Sequence, residues 1–311
     1  MADDPLAVLL MAYGGPGSLD EVEPYLQDVR GGRPTSPELV QEIRARYARI
    51  GGRSPILELT RAQATGVARA LGDGFRVYVG MRHWRPYIGE TVGEILLAGH
   101  GRLVGVVMAP HYSGMSVGAY EKQLLEAAGG RLETALVRSW GQHPRFLEAV
   151  GERVVQALQR FPQPKAVQVI FTAHSLPRRI LGSGDPYPDE LRASAADVAR
   201  RVQLADWHLA YQSVGATAEP WLGPDAGELI TDLAGRGKGA FLIVPIGFVC
   251  DHVEILYDID VECRALAESL GVHLERTASL NDDPGLVAAV ADVARAAARG
   301  RGWAERGDGP R

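Results

Sequence analysis

Short apolar runs alternate with amphipathic stretches along the whole chain, and this alternation limits the fold more than any other feature. The runs fall at residues 6–11, 76–80, 103–108, 132–137, 166–171, 207–211, 240–244 and 273–276. Helical patterns separate them. One starts at Ser36-Pro37 and another at Ser54-Pro55, each with a capping serine followed by a proline suited to a first helical turn. A long one covers 144–160, where Phe146, Leu147, Val150, Val154, Ala157 and Leu158 form one apolar stripe. Strands that alternate with helices build parallel sheets covered by helices on both faces. The expected fold is therefore α/β. The two strand–helix series meet near residues 140–160, without an obvious sequence repeat between them. The expected organisation is an N-terminal domain over 1–145, a C-terminal domain over 146–283, a last helix over 284–299 and a flexible tail over 300–311. A cleft between two α/β units is where a ligand is expected.

Composition removes several function classes. The 311 residues are 46% hydrophobic and 23% charged, with a net charge of −5. A chain of that balance offers no basic stripe for nucleic acid. Its cysteines are Cys250 and Cys263. Two thiols cannot build a four-thiolate iron–sulfur cluster or a disulfide framework. No apolar stretch reaches the roughly 18 residues of a membrane span. Residues 1–5 lack the basic and apolar regions of a signal peptide. A cytoplasmic location is the expectation.

Residues 245–262 hold the most unusual pattern. An apolar run over 239–249 reads as a buried strand, and Asp251 is placed to cap a helix that follows it. On that helix Glu254, Asp258 and Glu262 recur at i, i+4 and i+8, which puts three carboxylates on one face. Such a line repels itself and calls for something positive nearby. It reads either as a solvated acidic face or as a cation path. The second reading gains from its place, at the carboxyl end of a strand, where open α/β sheets bind their ligands.

Other loops that follow strands carry Tyr13, Arg82 with His83, His111 with Tyr112, and His174. The first such loop, 12–17, has three glycines, but Pro16 breaks any dinucleotide fingerprint. Those glycines let a ligand or the next helix approach the backbone. Ser18 and Glu21 form a capping-box pattern. Taken singly, each histidine, arginine or tyrosine has a structural reading. Convergence of strand-end loops on one crevice favours a functional one. Neutral imidazole and carboxylates together suit a divalent ion such as Fe²⁺, Zn²⁺ or Mg²⁺. The spacings of closed metal sites are missing, which suits an ion held loosely and passed on. Arg30, Arg33, Arg46 and Arg82 can grip substrate carboxylates through the guanidinium fork. Ser175 sits beside His174, but no nucleophile-elbow sequence accompanies it, so a hydrolase is set aside.

Six segments carry a resemblance. They are Met11-Ala12-Tyr13-Gly14, residues 47–55 (Tyr-Ala-Arg-Ile-Gly-Gly-Arg-Ser-Pro), Ala109-Pro110-His111, Ala173-His174-Ser175-Leu176-Pro177, Gly184-Asp185-Pro186-Tyr187 and residues 247–254 (Gly-Phe-Val-Cys-Asp-His-Val-Glu). In order and without large gaps, from about residue 6 to 299, the chain resembles the ferrochelatases, which insert Fe²⁺ into a porphyrin. The resemblance implies two Rossmann-like domains with the porphyrin in a cleft between them. It makes His174 and Glu254 the catalytic, metal-handling pair, with Asp258 and Glu262 as an acidic path for the metal. Tyr13 is similar to the tyrosine that the coproporphyrin-using branch offers to iron from the opposite face. Arg30, Arg46, Tyr47, Ser54 and Tyr120 match positions around the macrocycle and its carboxylates. Arg82, beside His83, stands where some relatives have a lysine. The loop at 14–19 is short and polar, unlike the apolar lip of membrane-associated relatives, and this favours a tetracarboxylate porphyrin such as coproporphyrin III.

Fe²⁺ enters as a substrate. No iron–sulfur cluster is expected, and an auxiliary divalent cation is left open. No haem acceptor or iron donor is identified. Protoporphyrin IX is the alternative substrate. A chelatase that inserts cobalt into sirohydrochlorin, or a non-enzymatic porphyrin or haem carrier, is the alternative function. A nicotinamide dehydrogenase rests on fold alone and is remote.

Overall fold

A computed structural model of the chain describes residues 5–303, apart from Ala216 and Ala218. In chain order the elements are β1 (Leu6–Ala12), α1 (Val22–Val29), α2 (Pro37–Arg49), α3 (Ile56–Leu71), β2 (Phe75–Met81), α4 (Ile88–Leu97), β3 (Arg102–Val107), α5 (Val117–Ala128) and β4 (Glu133–Val137). There follow α6 (Pro144–Leu158), β5 (Gln168–His174), α7 (Tyr187–Arg201), β6 (Trp207–Gln212), α8 (Ala226–Gly235) and β7 (Ala240–Val244). The series ends with α9 (Val253–Leu256), a π-helical turn (Asp258–Cys263), α10 (Arg264–Leu270), β8 (His273–Arg276) and α11 (Pro284–Gly300).

The described residues form two four-stranded sheets, ordered β2-β1-β3-β4 and β6-β5-β7-β8. Every strand pair is parallel, and the two orders are the same topology met twice. The expected α/β class with two Rossmann-like units is therefore present, even though the halves share no visible sequence repeat. Central strands β1 and β5 are buried almost end to end, as parallel strands covered on both faces must be.

Two compact units result. The first contains the chain up to Pro110, residues 114–140 and the chain from Asn281 onward; the second contains 111–113 and 141–280. Helix α11 thus belongs with the first unit, where it packs on α3. Local chemistry sets the helix ends. Ser36 accepts from the Leu39 N–H ahead of Pro37, and Asp225 accepts from the N–H groups of Gly227 and Glu228. Asp283 does the same ahead of Pro284.

Three expectations are corrected. Ser18 makes no capping hydrogen bond; Glu21 instead accepts from the Gly17 N–H at 2.6 Å and from the Trp84 indole at 3.0 Å. Asp251 does not cap α9, whose N-cap is His252. The carboxylate of Asp251 is already engaged by Ser279 at 2.6 Å. The tail does not begin at Gly300: Trp303 is buried, with its indole donating to Glu133 at 3.2 Å. The rest of the expected tail, 304–311, lies outside the described residues.

Candidate active site

The second unit holds His174 and Glu254. His174 is the last residue of β5, paired in register with Gln212 of β6. Gly247, just past β7, donates its N–H to the Thr172 carbonyl at 3.1 Å. A Cβ at Gly247 would stand 2.5 Å from that of Ala173, so only glycine lets this loop lie against the end of β5. That close approach carries the chain over His174 and into α9.

Nδ1 of His174 then lies 3.2 Å from Oε2 of Glu254, an ion-pair distance without the alignment of a hydrogen bond. His252 brings Nε2 to 3.7 Å from the same oxygen. Its Nδ1–H donates to the Cys250 carbonyl at 3.0 Å, which fixes the tautomer because a carbonyl only accepts. The backbone of Glu254 is held by Gln212, whose side-chain amide donates to the Glu254 carbonyl at 2.7 Å. Tyr187 donates its hydroxyl to the His174 carbonyl at 2.9 Å. Both ends of the His174–Glu254 pair are therefore fixed by neutral, buried groups.

Burial opposes charge on His174, but Glu254 and then Asp258 outweigh it and raise the pKa above the usual histidine value. Burial likewise opposes charge on Glu254, while His174 and His252 reverse that and hold the carboxyl well below the ordinary range. The pair therefore favours imidazolium beside carboxylate. The side chains of His174 and Glu254 are 36% and 29% exposed, so both can be reached from solvent.

The acidic row departs from its expected geometry. Glu254 is on α9, but beyond Leu256 the helix widens into the π-helical turn that carries Asp258 and Glu262. A single α-helical face through all three carboxylates does not form. Ile255 and Ile259 sink into the apolar core, and Asp258 between them stays half-buried. Asp258 accepts a hydrogen bond from Ser213, and Glu262 is exposed. Among the described residues, no three His, Cys, Asp or Glu side chains form a ready cage for an ion. Burial pushes the thiols of Cys250 and Cys263 up to about 12, so neither is a thiolate near neutral pH.

The first unit gathers most of the other predicted residues. The loops after β1 and β2 are laced together: the Arg82 N–H donates to the Ala12 carbonyl and that of His83 to the Tyr13 carbonyl, at 2.8 and 2.9 Å. The rings of Tyr13 and His83 lie 4.7 Å apart. His83 donates from Nδ1 to Asp28 at 2.9 Å, while burial lowers its pKa against that bond. The Arg82 guanidinium sits 5.4 Å over the Tyr120 ring, a cation–π contact. Ser54 packs against Gly15 and donates its N–H to the Pro16 carbonyl at 2.8 Å. Tyr47 is buried on α2. On the same helix Arg46 pairs with Glu42 at 2.9 Å. Arg30 caps the end of α1, and Arg33 folds back to donate to its carbonyl at 2.9 Å.

Two residues singled out by sequence prove to be packing. His111 is buried, 2.9 Å from Ser194 and edge-on to Phe146. Ser175 is buried and donates to the Leu222 carbonyl at 2.8 Å. Sequence reasoning missed Asp28, Gln212, Ser213, His252 and Arg276. Asp28 and Gln212 left no signal, because each meets its partner only through folding. His252 could have been found, since it stands within the motif that ends at Glu254.

The family model described as "Ferrochelatase" matches residues 5–298. The chain is 46% identical to a ferrochelatase of Herpetosiphon aurantiacus over 290 residues, covering 90% of this chain and 95% of that protein. It is 37% identical over 289 residues to a coproporphyrin III ferrochelatase of Listeria monocytogenes, covering 90% and 94%. Among solved structures it is similar to SirB from Bacillus subtilis with Fe³⁺, with a TM-score of 0.57 and 14% identity over 96% of this chain and 98% of that one. That last likeness is one of fold.

Proposed function

The chain belongs to the ferrochelatase family, metal chelatases that insert Fe²⁺ into a porphyrin in haem biosynthesis, and on that premise we propose that its porphyrin is coproporphyrin III and that His174 and Glu254 exchange protons for metal. The observation that carries the site assignment is the 3.2 Å approach of His174 to Glu254 at the carboxyl end of β5.

Metallation replaces two pyrrole N–H protons with one divalent cation, so the protein must accept protons and present a metal that sheds its water. His174 first releases its resting proton to solvent, to which its side chain is open, then accepts a pyrrole proton, and the carboxylate of Glu254 stabilises the imidazolium that forms again. Glu254 also presents its oxygen to the incoming Fe²⁺. Asp258 and Glu262 are the weak oxygen ligands that lead the ion inward, and Asp258 is steadied by Ser213. Tyr13 is assigned as a further contact of the metal. Arg30, Arg46, Tyr47, Ser54, Arg82, His83 and Tyr120 bind the ring and its carboxylates.

The coproporphyrin assignment draws on the arginines, on the short polar loop at 14–19 and on the names of the Listeria relatives. No helix of the described residues is long and apolar enough to cross a membrane. We place the protein in the cytoplasm and assign it no iron–sulfur cluster, because two cysteines are too few to ligate one. A porphyrin carrier would have no use for an ion pair joined to a row of acids.

Anaerobic Fe²⁺ insertion into coproporphyrin III and protoporphyrin IX, measured side by side, tests the reading. A higher kcat/KM for coproporphyrin III is expected. The reverse order overturns the substrate assignment, and insertion into neither overturns the function.

A further inference from the structure

We propose that Arg276 is a positioning residue for metal handling, bracketing the segment that carries Glu254 and Asp258 by holding Asp251 at one end and Asp260 at the other. The inference rests on the chelatase reading of Glu254 and Asp258. Arg276 ends β8, and its side chain is only 14% exposed, so its charge needs partners. It has them on both sides of the acidic segment. Nε and Nη2 donate side-on to the two oxygens of Asp260, at 2.9 and 2.7 Å. Nη1 approaches Asp251 to 3.5 Å and donates to the Thr277 carbonyl at 3.0 Å. Ser279 ties the far side, 2.6 Å from Asp251 and 3.3 Å from the guanidinium.

The segment so bracketed is not an ordinary helix. A π-helical turn is rare and is found mostly as a single widened turn within an α-helix. Ile255 and Ile259 anchor its inner side in the core. Ser213 and Gln212 hold Asp258 and the Glu254 backbone from β6. Asp260 is the anchor inside the π turn itself, and its two-point bond to Arg276 fixes where that turn lies. Without the fork, Asp251 and Asp260 lose the cation that joins them. The turn is then free to tighten, which swings Asp258 away from Ser213 and changes its distance from Glu254.

The test uses the full chain with Arg276→Gln, Arg276→Lys and Asp260→Asn. Zn²⁺ alone is titrated calorimetrically, coproporphyrin III binding is followed by fluorescence, and Tm and the KM for Fe²⁺ are recorded. Arg276→Gln and Asp260→Asn are expected to weaken Zn²⁺ binding by about tenfold, the usual scale for a group that orients metal ligands. KM for Fe²⁺ should rise by a similar factor, with coproporphyrin affinity within about twofold of the parent. Arg276→Lys keeps the charge but not the fork, so it should recover Tm more fully than Zn²⁺ affinity. A lower Tm with parental Zn²⁺ affinity overturns the proposal, as does a parallel loss of porphyrin binding. If Arg276→Gln fails to fold, Asp260→Asn decides. A parent chain that binds Zn²⁺ but inserts no iron refutes the proposed function and leaves the Zn²⁺ comparison to judge Arg276. A parent chain that binds no Zn²⁺ overturns the inference.

Discussion

Nδ1 of His174 stands 3.2 Å from Oε2 of Glu254, although one residue ends β5 and the other follows β7. Burial by itself would keep this histidine neutral. The carboxylate reverses that and raises its pKa. Glu254→Gln removes the charge, so burial should win and the pKa of His174 should fall below the usual value. Histidine NMR titration reads this directly, and an unchanged pKa would show that Asp258 is the dominant partner. The same variant, and His174→Ala, should lose Fe²⁺ insertion by at least two orders of magnitude while still binding coproporphyrin III, within the usual range for acid–base groups.

His111 gives a separate handle on acid stability. Burial lowers its pKa to about 3, and its Nδ1 has no hydrogen-bond partner among the described residues. Below the unfolded value of 6.5 the unfolded chain binds a proton that the folded chain refuses. Stability is therefore lost as pH falls from 6.5 towards 3, with a slope of about 1.4 kcal/mol per pH unit from this one group. Above 6.5 the group contributes no slope. Urea midpoints between pH 7 and 4.5 should show it, and His111→Gln should flatten that dependence. An equally steep dependence in the variant would assign the slope to other groups.

Gly247→Ala puts a methyl group where 2.5 Å separates it from the Ala173 Cβ. The same methyl would lie 2.8 Å from the Ala173 Cα, so strand β5 or the loop must move. A loss of about 1–3 kcal/mol in stability is expected, the usual scale of overpacking. Because Ala173 adjoins His174, turnover should fall further than porphyrin affinity. Urea unfolding and single-turnover assays report the two effects, and normal turnover in a folded variant would mean that the close approach serves packing alone.

Arg46→Ala and Arg82→Ala address the first unit. Each should raise the KM for coproporphyrin III by about tenfold, the scale of one lost charge-assisted pair. Zn²⁺ affinity should be untouched. A drop in Zn²⁺ binding would show that these arginines act on the metal-handling residues.

The sequence determined the alternation of strands and helices, and most expected elements lie within a few residues of their observed ends. Apolar runs of five or six residues between amphipathic stretches leave little choice, because only a covered parallel sheet buries them. The resemblance carried by the motifs around them singled out His174 and Glu254, and their proximity follows from the adjacency of β5 and β7 together with the close approach at Gly247. The acidic row shows where local reading stops. The α-helical rule of four predicts one face for Glu254, Asp258 and Glu262, yet the segment widens into a π turn. The widening accompanies Arg276 at the end of β8, Ser213 just after β6 and the core seats of Ile255 and Ile259. Asp28 beside His83 and Gln212 beneath Glu254 are of the same kind. Hydrogen bonds and ion pairs act over about 3 Å, so a partner distant along the chain leaves no periodic trace and is fixed only when tertiary packing brings its strand alongside.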